Sequence, residues 1–255
     1  MLGLGGKSVL VTGAGGGIGR ALVAAFLAEG AAVIGADREA ALMEGLDLSH
    51  RLTFELTDSV DTQAAIADHI DAHGAPDVLV SNAGFTRAET LNAVDVATFE
   101  SEIAINLTGA YAVTRPVVEA MAARGSGSIV FVSSVNGLMH FGNPAYSAAK
   151  AGLIAYARAI AVERGETGVR ANVVCPGSVR TPAWDHRLEK NPQLLDKVLP
   201  HYPLGRMVTP QEVANAVLFF ASDLSSGITG TVLAVDAGLM AGNMRFFNEV
   251  LRAET

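Results

Sequence analysis

Short runs of branched apolar residues alternate with longer segments of helical length along the whole chain. The runs lie at residues 9–11, 32–34, 78–80, 129–132, 173–174 and 232–235, with a weaker one at 53–56. The helical segments lie at 18–29, 62–73, 96–124, 145–163 and 210–221. Apolar runs of this length predict strands buried on both faces, as in a parallel sheet. The alternation therefore predicts an α/β fold with one doubly wound parallel sheet and helices on both of its faces.

The chain contains no linker, internal repeat or charge block that would divide it, so residues 1–255 are predicted to form a single domain. Its least regular part is the 182–207 segment, which contains Pro182, Pro192, Pro200 and Pro203. This segment is too long for an ordinary connection, which makes it a candidate lid over a binding site. Residues 243–255 are predicted to form a helix-like tail.

Charge and cysteine content narrow the partners and the compartment. The chain has 18 basic and 26 acidic residues, a net charge of −8, which disfavours nucleic acid and anionic membranes as partners. The single cysteine, Cys175, is compatible with a reducing cytoplasm. The first residues lack the pattern of a secretory signal, and no uncharged apolar run reaches the roughly 18 residues of a membrane helix. We therefore expect a cytoplasmic protein.

A glycine-rich segment, T-G-A-G-G-G-I-G, follows the first predicted strand from Thr12 to Gly19. Glycines let backbone N–H groups approach a pyrophosphate, and the N-terminus of the following helix adds partial positive charge. The pattern G-x-G-x-x-G fails because Ile18 stands at its last position, and the Lys of a P-loop is missing. The pattern that fits is T-G-x-x-x-G-x-G. The segment predicts a binding site for a dinucleotide.

Asp37 ends the second predicted strand, 24 positions after Gly13. This is close to the roughly 20 positions expected for a carboxylate that accepts hydrogen bonds from the ribose hydroxyls of a dinucleotide. A carboxylate there repels a 2′-phosphate, so the sequence favours NAD over NADP. The neighbouring Arg38 leaves NADP open, because a guanidinium can bind a phosphate.

Tyr146 and Lys150 are spaced four residues apart in a predicted helix, so their side chains share one face. An ammonium beside a phenol favours the phenolate, which suits proton transfer to or from an alcohol oxygen. Ser133 and Ser134 end a predicted buried strand shortly before this helix, and Asn106 lies in an earlier helix. The set predicts an acid–base site for alcohol chemistry.

The histidines give no sign of a metal site, and no metal is expected. The six are His50, His69, His73, His140, His186 and His201, and they form no recognisable ligand set. His69 and His73 lie four residues apart in a polar segment, which predicts an exposed helix face.

These motifs, in this order, resemble those of the short-chain dehydrogenase/reductase family over residues 7–238, nearly the whole chain. Residues 81–84, S-N-A-G, resemble the family motif that supports the central strand beside the cofactor. Residues 105–109 resemble the segment of the catalytic Asn, and residues 176–181 resemble the segment that holds the nicotinamide carboxamide. The resemblance implies a Rossmann fold, a nicotinamide cofactor and a homotetramer built through the helices at 96–124 and 145–163 and the last strand.

The resemblance also implies a role for each matching residue. Tyr146 would be the general acid or base, Lys150 would lower the pKa of Tyr146 and bind the nicotinamide ribose, and Ser134 would orient the substrate oxygen. Asn106 would hold a water in a proton relay to Lys150. The implied cofactor contacts are Gly13, Gly17, Ile18 and Gly19 along the pyrophosphate, Asp37 at the adenosine ribose, Asn82, Ala83 and Gly84 from adenine to ribose, Tyr146 and Lys150, and Pro176, Gly177, Val179 and Thr181 near the carboxamide.

The chain departs from the family pattern at the catalytic serine. The family usually has thirteen residues from Ser to Tyr, a spacing that Ser133 would satisfy, whereas Ser134 lies twelve residues before Tyr146. We select Ser134, because the following V-N-G matches the usual neighbours and a loop loses a residue more easily than a strand shifts its register.

The leading hypothesis is an oxidoreductase that transfers hydride between NAD and a secondary alcohol or ketone, such as a sugar, polyol or hydroxy acid. One alternative is a 3-oxoacyl thioester reductase that uses NADPH, which shares most of these motifs. Another is a non-catalytic dinucleotide-binding regulator. Substrate selection is expected to reside in the loop at 138–143 and the 182–207 segment, while the tail is expected to contact either the substrate or a neighbouring subunit.

Overall fold

The computed structural model describes residues 2–86 and 90–252, without the side chain of Ala183. The last three residues of the predicted tail, 253–255, lie outside the described residues. No described helix is long and apolar enough to cross a membrane.

Within the described part of the chain, seven parallel strands form a single sheet in the order β3-β2-β1-β4-β5-β6-β7. They are β1 (Ser8–Thr12), β2 (Ala32–Asp37), β3 (His50–Thr53), β4 (Val78–Ser81), β5 (Gly127–Val132), β6 (Val169–Pro176) and β7 (Val232–Val235). The strand order reverses between β1 and β4, and the carboxyl ends of strands at such a switch point are where open α/β sheets bind ligands. The prediction of a doubly wound parallel sheet is confirmed.

Helices cover both faces of this sheet. They are α1 (Gly17–Ala28), α2 (Ser59–His73), α3 (Val96–Ile103), α4 (Gly109–Arg124), α5 (Pro144–Arg164), α6 (Pro182–Lys190), α7 (Leu194–Val198), α8 (Pro210–Ala221) and α9 (Met244–Phe246). One apolar core packs α1 and α8 on the sheet through residues such as Phe26 and Phe220. The other packs α2, α4 and α5 through Ile66, Met121 and Leu153.

The weaker strand prediction at 53–56 is wrong by three residues, because β3 spans His50–Thr53, where it pairs with β2. The chain then turns, with the Asp58 N–H donating to the Glu55 carbonyl, and Phe54 is buried as a core contact outside the strand. Burial on both faces also fails at the two edge strands, β3 and β7, which keep exposed residues in the monomer.

The 182–207 segment is more regular than its prolines suggest. Pro182 stands in the first turn of α6, where its missing N–H removes no helical bond, and α7 follows after a short turn. The tail contains α9 and then a π-helical turn, Phe247–Leu251.

The predicted exposed face at His69 and His73 is wrong for His69, which is 7% exposed. Its ring lies against those of His50 and His73, with centroids 5.2 and 4.9 Å apart. Burial and these two neighbours lower the pKa of His69. Among the described residues, no group of three or more His, Cys, Asp or Glu side chains is arranged to hold a metal ion.

Candidate active site

The glycine-rich segment is folded too tightly for side chains. Gly13 has a φ of +64°, and a Cβ there would lie 2.9 Å from the Cα of Ala83. A Cβ on Gly19 would collide with the Gly13 carbonyl oxygen, and one on Gly17 would lie 2.8 Å from Thr181 Cγ2. The structure thus brings Gly13, Gly17 and Gly19 together with two further predicted contacts, Ala83 and Thr181.

The N-terminus of α1 fits an anionic group. The helix begins at Gly17, its N-cap is Gly16, and no side chain accepts from the first N–H groups. Ile18 lies in the first turn and packs against the core, which fixes the helix on the sheet. Free backbone donors and the helix dipole together form a site for phosphate, so the residues present fit the pyrophosphate of a dinucleotide.

Asp37 lies at the carboxyl end of β2, beside this segment. Its Oδ2 accepts from the Gly15 N–H at 3.0 Å, and its Oδ1 accepts from the Arg38 N–H at 2.9 Å. The Arg38 side chain is exposed and lies 3.4 Å from Glu39 in an ion pair. The carboxylate is therefore held next to the glycine-rich segment, and the guanidinium of the adjacent Arg38 has an acidic partner of its own.

Thr12 joins the ends of β1 and β4, a role that the sequence analysis missed. Its Oγ1 accepts from the N–H groups of Asn82 and Ala83, each at 3.0 Å, and Asn82 Nδ2 donates to the Thr12 carbonyl at 2.9 Å. The sequence feature that could have predicted this role is the hydroxyl of Thr12 at the last position of a buried strand. These bonds hold the predicted cofactor residues of β4 against the glycine-rich segment.

Asn106 lies in a π-helical turn, Ala104–Thr108, that joins α3 to α4. Such turns often occur at functional sites because they break the regular hydrogen-bond ladder of the helix. The fully buried Asn106 amide clasps the backbone of Phe85, donating to its carbonyl at 2.7 Å and accepting from its N–H at 3.1 Å. A Cβ on Gly84 would lie 2.7 Å from Asn106 Oδ1 and 3.2 Å from Lys150 Nζ. Asn106, Gly84 and Lys150 are therefore close neighbours.

Ser134 and Tyr146 are neighbours, and a hydrogen bond from the Ser134 hydroxyl lowers the pKa of Tyr146. The Ser134 hydroxyl also accepts from the Asn136 N–H at 3.1 Å. Ser134 follows the end of β5, while Tyr146 lies in the first turn of α5. Ser133 points elsewhere, and its hydroxyl donates to the Lys150 carbonyl at 2.8 Å. The geometry favours Ser134 over Ser133 as the serine that faces Tyr146.

Lys150 is buried one turn after Tyr146, with 3% of its surface exposed. Its ammonium donates to the Val132 carbonyl at 3.0 Å and lies 5.4 Å from the centroid of the Tyr146 ring. Burial lowers the pKa of Lys150 to about 8, while the nearby Cys175 acts in the opposite direction.

Burial raises the pKa of Tyr146 to about 12, against the hydrogen bond from Ser134, which lowers it. Glu102 and Cys175 raise this pKa further. The expected lowering of the Tyr146 pKa by Lys150 is not found in the protein alone. The physical reason is that both groups are desolvated, and lost hydration disfavours the charged form of each.

The remaining predicted residues line the end of β6. Gly177, which directly follows Pro176, donates its N–H to the Val235 carbonyl at 3.0 Å and packs against Asp236. Val179 makes an isolated bridge to Val208 through the flanking Ser178 carbonyl and Arg180 N–H. The backbone amide groups of Val179 therefore point to the other side, while its side chain is buried in the core.

Comparisons with known proteins agree with this arrangement. Residues 13–240 match the family model described as enoyl-(acyl carrier protein) reductase. The chain is 42% identical over 246 residues to an uncharacterized oxidoreductase of Schizosaccharomyces pombe, covering 93% of this chain and 92% of the relative. It is 38% identical to the 3-oxoacyl-[acyl-carrier-protein] reductase FabG of Thermotoga maritima, covering 92% and 98%.

A solved structure is similar over almost the entire chain. It is an oxidoreductase of the short-chain dehydrogenase/reductase family from Burkholderia thailandensis, 43% identical, with a TM-score of 0.89. The match covers 97% of this chain and 98% of that one.

Proposed function

Because this chain belongs to the short-chain dehydrogenase/reductase family of oxidoreductases, we propose that it transfers a hydride between NAD and a secondary alcohol or ketone. The single observation that carries the proposal is the position of the Tyr146 phenol beside Ser134, with its ring centroid 5.4 Å from the buried Lys150 ammonium. A hydrogen-bond donor and a proton-transfer group at one point suit the oxygen of an alcohol or carbonyl.

The nicotinamide ring, when bound, supplies the hydride chemistry, and the protein supplies orientation and proton transfer. In the oxidative direction, Tyr146 takes the hydroxyl proton while Ser134 donates a hydrogen bond to the same oxygen. In the reductive direction, the neutral phenol of Tyr146 returns the proton to the carbonyl oxygen. Lys150 holds positive charge beside the phenol, and Asn106 keeps the backbone at Phe85 in place next to it.

The position of Asp37 supports NAD rather than NADP. Its carboxylate is held by the Gly15 N–H at the edge of the glycine-rich segment, where the adenosine ribose would lie. A 2′-phosphate at that point would meet the negative charge of Asp37, and the neighbouring Arg38 is paired with Glu39.

Two substrate classes are candidates for this site. A sugar, polyol or hydroxy acid is the leading class. The candidate polar and aromatic contacts are His140, Asn143, Trp184, His186 and Arg187. The second candidate is reduction of a 3-oxoacyl thioester with NADPH. It is favoured by the similarity to FabG and by the loop between Ser134 and Tyr146, which exposes the apolar side chains of Leu138, Met139 and Phe141.

One experiment separates these candidates. Purified protein is assayed for NADH formation from NAD with a panel of polyols, sugars and hydroxy acids, beside NADPH consumption with a 3-oxoacyl thioester. NAD-linked oxidation of one panel class supports the leading proposal. A preference for NADPH and the thioester supports the second candidate, and dinucleotide binding without any turnover supports a regulator. The homotetramer and the cytoplasmic location stay predictions.

A further inference from the structure

Asn136 connects the proposed site to the 138–143 loop, and no step of the proposed chemistry uses its side chain. The residue lies two positions after Ser134, in a 3₁₀ turn, Val135–Gly137, that leads into the loop. Its backbone N–H donates to Ser134 Oγ at 3.1 Å, and its side-chain Nδ2 donates to the Gly142 carbonyl at 2.9 Å. Asn136 therefore contacts Ser134 with its backbone and the far end of the loop with its side chain.

The Gly142 carbonyl accepts a second hydrogen bond from the start of α5. Ser147, which follows Tyr146, donates its hydroxyl to this carbonyl at 3.0 Å, and Ser147 Oγ accepts from Asn136 Nδ2 at 3.2 Å. An amide nitrogen carries two hydrogens and a hydroxyl carries one, so all three bonds form at the same time. We call this triangle of Asn136, Gly142 and Ser147 the Gly142 clamp.

The clamp anchors the second half of the loop. The first half is held by its own backbone, since the N–H groups of Leu138 and Met139 donate to the Val135 carbonyl. Within the described part of the chain, the hydrogen bonds of residues 140–142 are the two that the Gly142 carbonyl accepts in the clamp. The position of this half therefore depends on two side chains.

The backbone at the end of the loop needs such support. Gly142 and Asn143 have φ values of +91° and +52°, and a residue other than glycine keeps a positive φ only where its surroundings hold it. The Gly142 carbonyl belongs to the peptide bond between these two residues, and a peptide unit is planar. By holding the carbonyl oxygen, the clamp fixes the orientation of this peptide and the path of the chain into α5.

We propose that Asn136 is a positioning residue, which together with Ser147 holds the 138–143 loop in place and so determines which substrates bind well. The proposal rests on the proposed function, because it takes the substrate oxygen to bind at Ser134 and Tyr146. The loop joins these two residues along the chain. It therefore borders the space that the carbon substituents of the substrate would occupy.

The loop offers apolar surface to such substituents. The side chains of Leu138, Met139 and Phe141 are 42–53% exposed. A substituent large enough to reach the loop would cover this surface, which favours binding. A small alcohol such as 2-propanol fills only the space around the reacting carbon. The clamp should therefore matter for large substrates and much less for small ones.

The first test compares substrate selectivity in Asn136→Ala and Asn215→Ala. The second variant removes the same amide from an exposed position of α8, outside the site. In each protein, kcat/KM is measured for the best alcohol of the panel and for 2-propanol. The ratio of the two values does not depend on the fraction of enzyme that is folded, so it separates positioning from stability.

In Asn136→Ala we expect this ratio to fall about tenfold, an effect of the size that loss of one hydrogen bond at a partly buried group causes. The change should come from a higher KM for the larger alcohol. Asn215→Ala should keep the wild-type ratio.

Ser147 provides an independent pair of variants, which serves if Asn136→Ala fails to fold. Ser147→Ala removes the other hydrogen bond to the Gly142 carbonyl and should lower the same ratio. Ser147→Thr retains the hydroxyl and should retain the wild-type ratio.

A second readout does not depend on turnover. Chymotrypsin cleaves after Phe141 when the loop opens, and mass spectrometry identifies the site of cleavage. The rate of this cleavage should rise about tenfold in Asn136→Ala and in Ser147→Ala, because both increase the population of the open loop. It should stay unchanged in Asn215→Ala. If the wild type turns over no alcohol or ketone, the proposed function fails, while this experiment still decides whether the clamp holds the loop.

Three results would overturn the inference. The first is an equal loss of kcat/KM for both alcohols in Asn136→Ala, which a purely structural residue would give. The second is a change of the same size in Asn215→Ala. The third is cleavage after Phe141 that is as slow in Asn136→Ala and Ser147→Ala as in the wild type.

Discussion

At the scale of one residue, the proposed preference for NAD over NADP depends on the position of the Asp37 carboxylate. Its two oxygens are held by backbone N–H groups of Gly15 and Arg38, so its position does not depend on a flexible side-chain partner. The charge is thus fixed near the place where the adenosine ribose is proposed to bind.

We expect Asp37→Ala to move selectivity toward NADP, because removal of the carboxylate removes its repulsion of the 2′-phosphate. The ratio of kcat/KM for NADP to that for NAD should rise at least about tenfold, equivalent to about 1.4 kcal/mol. Steady-state kinetics with both cofactors measures it. Asp47→Ala, at an exposed position outside the site, is the control. An unchanged ratio in Asp37→Ala would exclude Asp37 as the selecting residue.

At the scale of elements, the carboxyl end of β4 and the helix from α3 to α4 form one unit around Gly84. The Asn106 amide binds the backbone of Phe85, and Gly84 leaves room for both Asn106 and Lys150. The close approach depends on glycine at position 84, because the Cβ of any other residue would meet Asn106 Oδ1 and Lys150 Nζ. A methyl group at position 84 is therefore expected to displace residues of the proposed active site and to leave the β-sheet unchanged.

Gly84→Ala is accordingly expected to lower kcat by about 100-fold, the order of loss that a displacement of about 1 Å causes in an active site. The physical reason is that Asn106 and Lys150 must both move away from the new Cβ. Gly227→Ala, where a Cβ would meet nothing within 4 Å, is the matched control and should keep full activity. Full activity in Gly84→Ala would show that the two groups can move without consequence.

The N-terminus of α8 has a capping box whose contribution to stability depends on pH. The Thr209 N–H and hydroxyl both donate hydrogen bonds to the Glu212 carboxylate. The Arg206 guanidinium donates to both oxygens of the same carboxylate, at 2.6 and 2.9 Å. The Arg206 side-chain hydrogen bonds, followed by the Thr209 N–H, hold the pKa of Glu212 at about 2. Because the folded pKa lies below that of an unfolded Glu, the stabilisation is complete above the unfolded value and is lost as pH falls through about 2.

We expect Glu212→Gln to lower Tm by about 2 °C near pH 7, a modest value because the pair is partly exposed. The difference from wild type should shrink as the pH falls below about 4.3, the usual pKa of Glu. Thermal unfolding followed by circular dichroism from pH 7 to acid checks this. A difference that stays constant with pH would mean that the ionised carboxylate is not the stabilising group.

At the scale of the whole molecule, the parallel sheet gathers residues far apart in sequence at one edge. The ends of β1, β2, β4, β5 and β6 contribute the glycine-rich segment, Asp37, the 82–84 residues, Ser134 and the 176–181 residues. Since all strands run the same way, their carboxyl ends meet on one side, and the switch point between β1 and β4 opens a crevice there. The fold alone thus places the proposed site.

Much of this architecture could be predicted from the sequence. The helix at 210–221 matches α8 at both ends, because Thr209 and Pro210 are strong start signals. The strand at 53–56 could not be predicted correctly, since Phe54 is apolar for core packing and not for sheet pairing. The burial of Glu102 and His69 could not be predicted from the sequence either, because it depends on which helix face packs against a neighbouring element.

The direction of the pKa shift of Tyr146 could not be predicted from the sequence either. A Tyr and a Lys four residues apart predict attraction between a phenolate and an ammonium, but the spacing says nothing about hydration. In the folded chain, burial raises the pKa of Tyr146 to about 12 and lowers that of Lys150 to about 8. Only the three-dimensional surroundings reveal that desolvation is the larger effect.

The most direct test of the central claim is the turnover of Tyr146→Phe, which removes the phenol oxygen and keeps the ring. NADH formation is measured at saturating NAD with the best alcohol from the panel, and NAD binding is measured separately by calorimetry. The account predicts that kcat falls at least about 100-fold, the contribution typical of a positioned acid or base, while NAD binding is retained. An unchanged kcat would contradict the assignment of Tyr146 as the group that transfers the proton.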